Sequence, residues 1–225
     1  MIDSSLQRLN MVESQVRPSD VTDRRILKAM LDVPREAFVP VALASMAYMD
    51  NPVAVVAKGN DATGAARSLL APRTFAKLVQ LMEVGPDALV LDVGCATGYS
   101  TAVLARLAKR VVAVECDTEL VAQAARLLEL LGVDNAMVQQ KPLAAGAPAE
   151  GPFDAILLNG AVPAAPPTLL AQLKNGGRLA GIIAEGALCR AQVWQRVGKA
   201  FDARAAFEAG AAPLPGFEAP AGFVF

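Results

Sequence analysis

The chain has 225 residues, 54% of them hydrophobic, a formal net charge of −1 and no histidine. That length suits one large domain, or one domain with an extension, and supplies enough apolar side chain for a sizeable core. The even charge gives no electrostatic case for nucleic acid or an anionic membrane, and the lack of histidine excludes Ser-His-Asp catalysis, Cys-His catalysis and histidine-based metal sites.

Cys95, Cys116 and Cys189 form no C-x-x-C pair. This argues against a disulfide scaffold or a zinc site, so no metal is expected, and it suits a reducing cytosol. The opening Met-Ile-Asp-Ser-Ser lacks a signal-peptide pattern. No apolar run reaches the ~18 residues that span a bilayer. A cytoplasmic protein is the expectation.

In chain order, residues 3–16 carry Leu6, Leu9, Val12 and Val16 at helical steps, and Pro18 ends that run. Asp20 and Asp23 predict an N-cap for a second helix with Ile26, Leu27, Met30 and Leu31 on one face, stopping before Pro34. Residues 51–66, with Gly59, Asn60, Asp61 and Gly64, predict a loop. A third helix from Pro72 to Glu83 shows Phe75, Leu78, Val79 and Met82.

Val90, Leu91 and Val93 then read as a buried strand. Gly94 and Gly98 bracket a tight turn, and a helix from Tyr99 to Arg110 carries Val103, Leu104 and Leu107. Strand, glycine turn and helix open a nucleotide-binding α/β unit, in which glycine lets the backbone approach a ligand and the helix N-terminus offers free N–H groups. A dinucleotide fingerprint needs glycine at its first, third and sixth positions. From Gly94 these hold Gly94, Ala96 and Tyr99, so a dinucleotide oxidoreductase is disfavoured.

Arg110–Cys116 predicts the next strand, ending at Glu115, about 20 residues past the turn, where a ribose needs an acceptor for its hydroxyls. Asp117 and Thr118 open a helix that Gly132 ends. Further strands are predicted at Asn135–Gln140, Phe153–Asn159 and Gly177–Ile183, with a helix from Pro166-Pro167 to Asn175-Gly176. Ala191–Val197 and Ala203–Phe207 predict an antiparallel edge pair turning near Gly198. The tail from Pro213 to Pro220 is expected to be irregular. The alternation implies an α/β fold, a doubly wound, mainly parallel sheet covered on both faces.

Two sets of residues carry a family resemblance. Asp92-x-Gly94-x-Ala96-x-Gly98 resembles the first motif of class I S-adenosylmethionine methyltransferases, with Ala96 in place of the usual middle glycine. Val33-Pro-Arg-Glu-Ala-Phe-Val-Pro40 followed by Tyr48-x-Asp50 resembles the N-terminal signature of protein-L-isoaspartate O-methyltransferases. Met11–Gln15, Val21–Met30, Gly98-Tyr99, Pro152–Ile156, Gln172–Leu179 and Phe223–Phe225 are similar in the same order, so the likeness covers nearly the whole chain.

The resemblance implies a seven-stranded, Rossmann-like methyltransferase fold. It implies an N-terminal helical extension with a substrate-side loop over residues 1–70, and a cofactor-binding domain over 71–225. The implied cofactor is S-adenosyl-L-methionine, held by Asp92, Gly94, Cys95, Ala96, Gly98, Tyr99, Ser100, Glu115, Cys116, Leu143 and Asn159. The implied partner is a protein or peptide bearing a carboxylate, the isoaspartyl side chain or a related acceptor. The oligomeric state stays open.

Two departures fall on the chemistry. The family's Thr-x-Ser-x-Pro segment aligns with Ser68-Leu-Leu-Ala-Pro72, so Leu70 stands where a serine beside the reacting carboxylate is expected, and leucine cannot donate a hydrogen bond. Ser68 is the available substitute. The family's Gly-Asp-Gly aligns with Gln140-Lys-Pro-Leu143, so the acid near the adenine is gone and Leu143 remains as an apolar wall. These departures keep an alternative open: a catalytically altered relative that binds S-adenosylmethionine or a partner without isoaspartyl repair.

Overall fold

A computed structural model describes residues 4–56, 66–185 and 188–217. The first helix, α1 (Ser4–Met11), runs on into a π turn at Val12–Val16 and a 3-10 turn at Arg17–Ser19. The expected single helix is thus remodelled over its second half. Pro18 lies within the last turn, where its missing N–H is tolerated. Asp23, not Asp20, caps α2 (Arg24–Asp32), its carboxylate accepting from Arg25 N at 2.8 Å. Asp20 is left-handed, at φ 65°.

The expected loop over 51–66 is corrected at its start. Val53–Val56 forms β1, antiparallel to β2 (Arg67–Leu69), with Val53 opposite Leu69 and Ala54 opposite Ser68. Gly59, Asn60, Asp61 and Gly64 lie outside the described residues, as does Phe223–Phe225. Helix α3 (Pro72–Met82) follows, with proline in its first turn.

The main sheet is built from β3 (Leu89–Val93), β4 (Arg110–Glu115), β5 (Ala136–Gln140), β6 (Phe153–Val162), β7 (Leu173–Glu185), β8 (Leu188–Val197) and β9 (Ala200–Glu208). Its order is β5-β4-β3-β6-β7-β8-β9. The first five of these pair in parallel, and β7-β8 and β8-β9 are antiparallel. This is the expected doubly wound, mainly parallel sheet with an antiparallel edge pair.

Alternate residues feed opposite faces, as the strand period of two requires. Val90, Val111 and Leu157 join Phe75, Leu78, Leu104 and the N-terminal helices on one side. Leu91, Val112, Val114, Ile156, Leu179 and Trp194 form the core on the other. Among the described residues no helix is long and apolar enough to cross a membrane.

Helix α4 (Tyr99–Ala105) starts at the glycine turn and is shorter than expected, and α5 (Thr118–Leu130) is capped by Asp117. The helix expected from Pro166 to Asn175 shrinks to α6 (Pro167–Leu170). Leu173 instead pairs with Phe153 at the start of β7, because burying that leucine in the sheet outweighs a weak helical pattern.

The tail is also more ordered than proline content suggests. Pro213 bridges in parallel to Ala161 at the end of β6, and Leu214 is buried.

Candidate active site

Strands β4 and β6 flank β3: the chain passes from β3 outward to β4 and β5 on one side, then crosses back to β6 on the other, so the strand order reverses beside β3. The carboxyl ends of these strands form the crevice where open α/β sheets bind ligands. β3 delivers Asp92, β4 delivers Glu115 and β6 delivers Asn159 to it.

Asp92 is fully buried. Its carboxylate accepts from Ser100 Oγ at 2.7 Å, from Thr101 Oγ1 at 2.6 Å and from Asn159 Nδ2. Burial raises its pKa to about 6, and these three donors limit the rise. Asp92 therefore acts as the hub joining β3, the first turn of α4 and β6.

The turn itself needs left-handed backbone. Gly94 has φ +75° and Gly98 φ +94°, and a Cβ on Gly98 would lie 3.1 Å from that of Ala124. Ala96 adopts φ 51°, which a small side chain tolerates. Cys95 is buried, and burial pushes its thiol well above the usual range. Cys116, half-buried, is pushed up to about 11 by burial.

Glu115 is the most heavily engaged group in the crevice. Its two oxygens accept from Arg67 Nη1 at 2.6 Å and Nη2 at 2.7 Å. They also accept from Ala96 N and Cys116 N, each at 2.8 Å. Arg67 is 3% exposed and Glu115 0%. Burial pulls the guanidinium pKa down most strongly, but the charge and hydrogen bonds of Glu115, with Cys116 and Cys95, together leave Arg67 above its usual value. Arg67 Nη2 also donates to Gly94 O at 3.2 Å.

The approach to Gly94 is filled. A Cβ placed there would lie 2.7 Å from Leu214 Cδ2, 3.2 Å from Arg67 Nη2 and 3.5 Å from Leu143 Cδ1. On one side, Ser68, Leu70, Tyr99, Ser100, Asn159 and Arg35 border a cavity of only about 10 Å³, room for one water. On the other side, Cys116, Gln140, Lys141, Leu143 and Pro215 line an open groove of about 480 Å³.

Of the residues assigned from sequence, Ser68, Leu70, Gly94, Cys95, Ala96, Tyr99, Ser100 and Asn159 border the small cavity, Cys116 and Leu143 border the open groove, Asp92 and Glu115 are buried at the strand ends, and Gly98 packs on Ala124. The two acids and the glycine turn that would hold S-adenosylmethionine are present. A ribose on Glu115, however, needs an unpaired carboxylate and open space against Gly94. In this conformation Arg67 takes the first and Leu214 the second, so the crevice as it stands does not fit the cofactor.

Three participants were not singled out from sequence. Arg67 and Leu214 are two, and Arg35 is the third. Arg35 is fully buried, donates from Nε to Ala47 O and from Nη2 to Leu70 O, each at 2.7 Å, and lies 4.7 Å over the Tyr99 ring. Phe38 and Phe75 complete that aromatic cluster at 5.7 and 5.5 Å from Tyr99. The signal for Arg35 was its place in the Val33–Pro40 block. A charge before an apolar segment was the only local sign of Arg67.

Comparison with known proteins gives one consistent answer. The family model described as Protein-L-isoaspartate(D-aspartate) O-methyltransferase (PCMT) matches residues 7–210. Protein-L-isoaspartate O-methyltransferase 2 of Shewanella sediminis is 38% identical over 172 residues, 76% of this chain and 67% of that one. Protein-L-isoaspartate O-methyltransferase 1 of Syntrophobacter fumaroxidans is 37% identical over 179 residues, 80% of each chain.

Among solved structures, a protein-L-isoaspartate O-methyltransferase superposes with TM-score 0.80 at 24% identity, over 95% of this chain and 66% of its own. A Plasmodium falciparum protein of the same description, solved with S-adenosyl-L-homocysteine, gives 0.75 at 22% identity over 92% of this chain and 97% of its own. These two show the fold. By its sequence from residue 7 to 210, the chain belongs to the protein-L-isoaspartate(D-aspartate) O-methyltransferase family.

Proposed function

We propose that the chain is an S-adenosylmethionine-dependent protein carboxyl O-methyltransferase whose acceptor is the isoaspartyl carboxylate of a damaged protein or peptide. The observation that carries this is the family match across residues 7–210, together with Asp92 and Glu115 at the carboxyl ends of neighbouring strands round a glycine turn. The chemistry suits a chain without histidine. A carboxylate has a pKa near ~4, so it is already ionised at neutral pH and needs no general base. What remains for the protein is to orient the acceptor and exclude water, which supplies roughly 7–11 kcal/mol in well-oriented systems.

In this reading Asp92 fixes Ser100, Thr101 and Asn159 behind the turn, and Glu115 is the ribose acceptor once Arg67 leaves it. Gly94, Cys95, Ala96, Gly98, Tyr99 and Cys116 supply the turn and its walls, Leu143 the adenine wall, and Ser68 the hydroxyl nearest the acceptor. Residues 1–70 serve as the substrate-side extension and 71–225 as the cofactor-binding domain, working in the cytoplasm.

Titration with S-adenosylmethionine and with NAD tests the cofactor class: the first binds and the second does not. Binding of NAD alone overturns the proposal. Methyl transfer to an isoaspartyl peptide then tests the acceptor.

A further inference from the structure

The group that occupies the ribose acceptor belongs to the protein. Arg67 is not a surface cation that happens to reach Glu115. It is buried, uses both terminal nitrogens on the two carboxylate oxygens, and reaches the backbone of Gly94 with one of them. Its alternative, with the guanidinium withdrawn, leaves a buried carboxylate satisfied only by backbone and thiol donors.

Leu214 is seated with equal care. Its N–H donates to Ala161 O at 2.8 Å, and Ala161 N donates to Ala212 O at 2.9 Å, so the tail is tied to the end of β6 on both sides of Pro213. Two glycines make the seat. A Cβ at Gly160 would lie 2.7 Å from Leu214 Cγ, and one at Gly94 2.7 Å from Leu214 Cδ2. Nothing bulkier than glycine admits the leucine at either point.

We infer that Arg67 and Leu214 form an internal plug that competes with the cofactor, so that binding requires Arg67 to leave Glu115 and the 211–216 strap to leave β6. Arg67 is then an affinity-determining residue: it stands in for the ribose hydroxyls as the ligand of Glu115. Leu214 stands against Gly94, where the cofactor backbone approach is expected. The adenine-side groove at Gln140–Ala144 is open because neither plug residue reaches it. This inference rests on the reading of Glu115 as ribose acceptor given under the proposed function.

The test uses the full chain and S-adenosyl-L-homocysteine. By titration calorimetry, Arg67→Gln binds at least tenfold tighter than the natural sequence, and Leu214→Ala binds tighter as well. Peptide-resolved hydrogen exchange of the natural sequence gives a readout that does not depend on either variant folding. At saturating ligand the amides of Ala161 and Leu214 exchange faster, the opposite of the protection that a ligand normally brings to its site.

Equal or weaker binding by both variants overturns the plug, and so does slower exchange at 161 and 214 on binding. Failure of the Arg67→Gln, Leu214→Ala double variant to bind at all overturns it too. Loss of the methyltransferase reading looks different: Arg67→Gln binds tightly yet esterifies no isoaspartyl peptide. If the natural chain esterifies the peptide while the variants gain no affinity, the plug falls and the methyltransferase stands.

Discussion

Arg67 and Glu115, 48 positions apart, meet in a buried two-pronged ion pair at 2.6 and 2.7 Å, across the mouth of the crevice between β2 and β4. The contact that closes the site also couples the two charges: desolvation offsets much of the attraction within the pair, but removing one partner leaves the other charge buried and alone.

The first prediction follows from that pairing. Glu115→Ala strands the Arg67 guanidinium, 3% exposed, without its partner. Stability falls by about 3–5 kcal/mol in urea denaturation. The Arg67→Ala, Glu115→Ala double variant falls by less than the sum of the single losses, since residues in contact are not additive. Strict additivity would show that the pair does not interact as drawn.

The second concerns Asp92 and pH. Its carboxyl ionises near 3.8 when unfolded but near about 6 in the folded chain, mainly because it is buried. Between those values the folded state holds a proton that the unfolded state has released. The stabilisation from this group is complete below about pH 4 and is lost as pH rises through about 6, an effect of about 3 kcal/mol. Asp92→Asn lacks this titration. Its stability relative to the natural sequence therefore improves by about that amount from pH 4 to pH 6. A difference constant with pH would contradict the raised pKa.

The third addresses Leu70, which is 5% exposed and borders the small cavity with Ser68. Leu70→Ser removes buried hydrocarbon and costs about 2–4 kcal/mol in thermal or urea denaturation. It also places a hydroxyl where the family has one, and raises the rate of isoaspartyl esterification. Reduced turnover in a variant that remains folded would mean that the register across residues 66–72 is wrong.

Much of the architecture was legible because it is written locally. The apolar run of β3, broken only by Asp92, the glycines at 94 and 98 and the periodic face of α5 each specify one element without help from the rest of the chain. Elements decided by distant partners were not legible. Val53–Val56 becomes a strand only because Arg67–Leu69 pairs with it. Lys174 to Gly176 looked like the end of a helix, yet they follow Leu173, which the sheet captures beside Phe153.

The candidate site divides the same way. Asp92, Gly94 and Gly98 enter through the resemblance to the methyltransferase motif, and Glu115 through its distance from the glycine turn. That Glu115 would be claimed by an arginine nearly fifty residues earlier is not legible, since a charge at the edge of a short apolar segment does not name its partner. Leu214 was hidden by the prolines around it, and its seat at Gly160 and Gly94 exists only in three dimensions.

The most direct measurement is methyl transfer to a matched pair of peptides, one with isoaspartate and one with aspartate at the same position, using S-adenosylmethionine labelled in the methyl group. The account predicts base-labile label on the isoaspartyl peptide and none on its twin. Cofactor bound at saturation with no label on either peptide would contradict it.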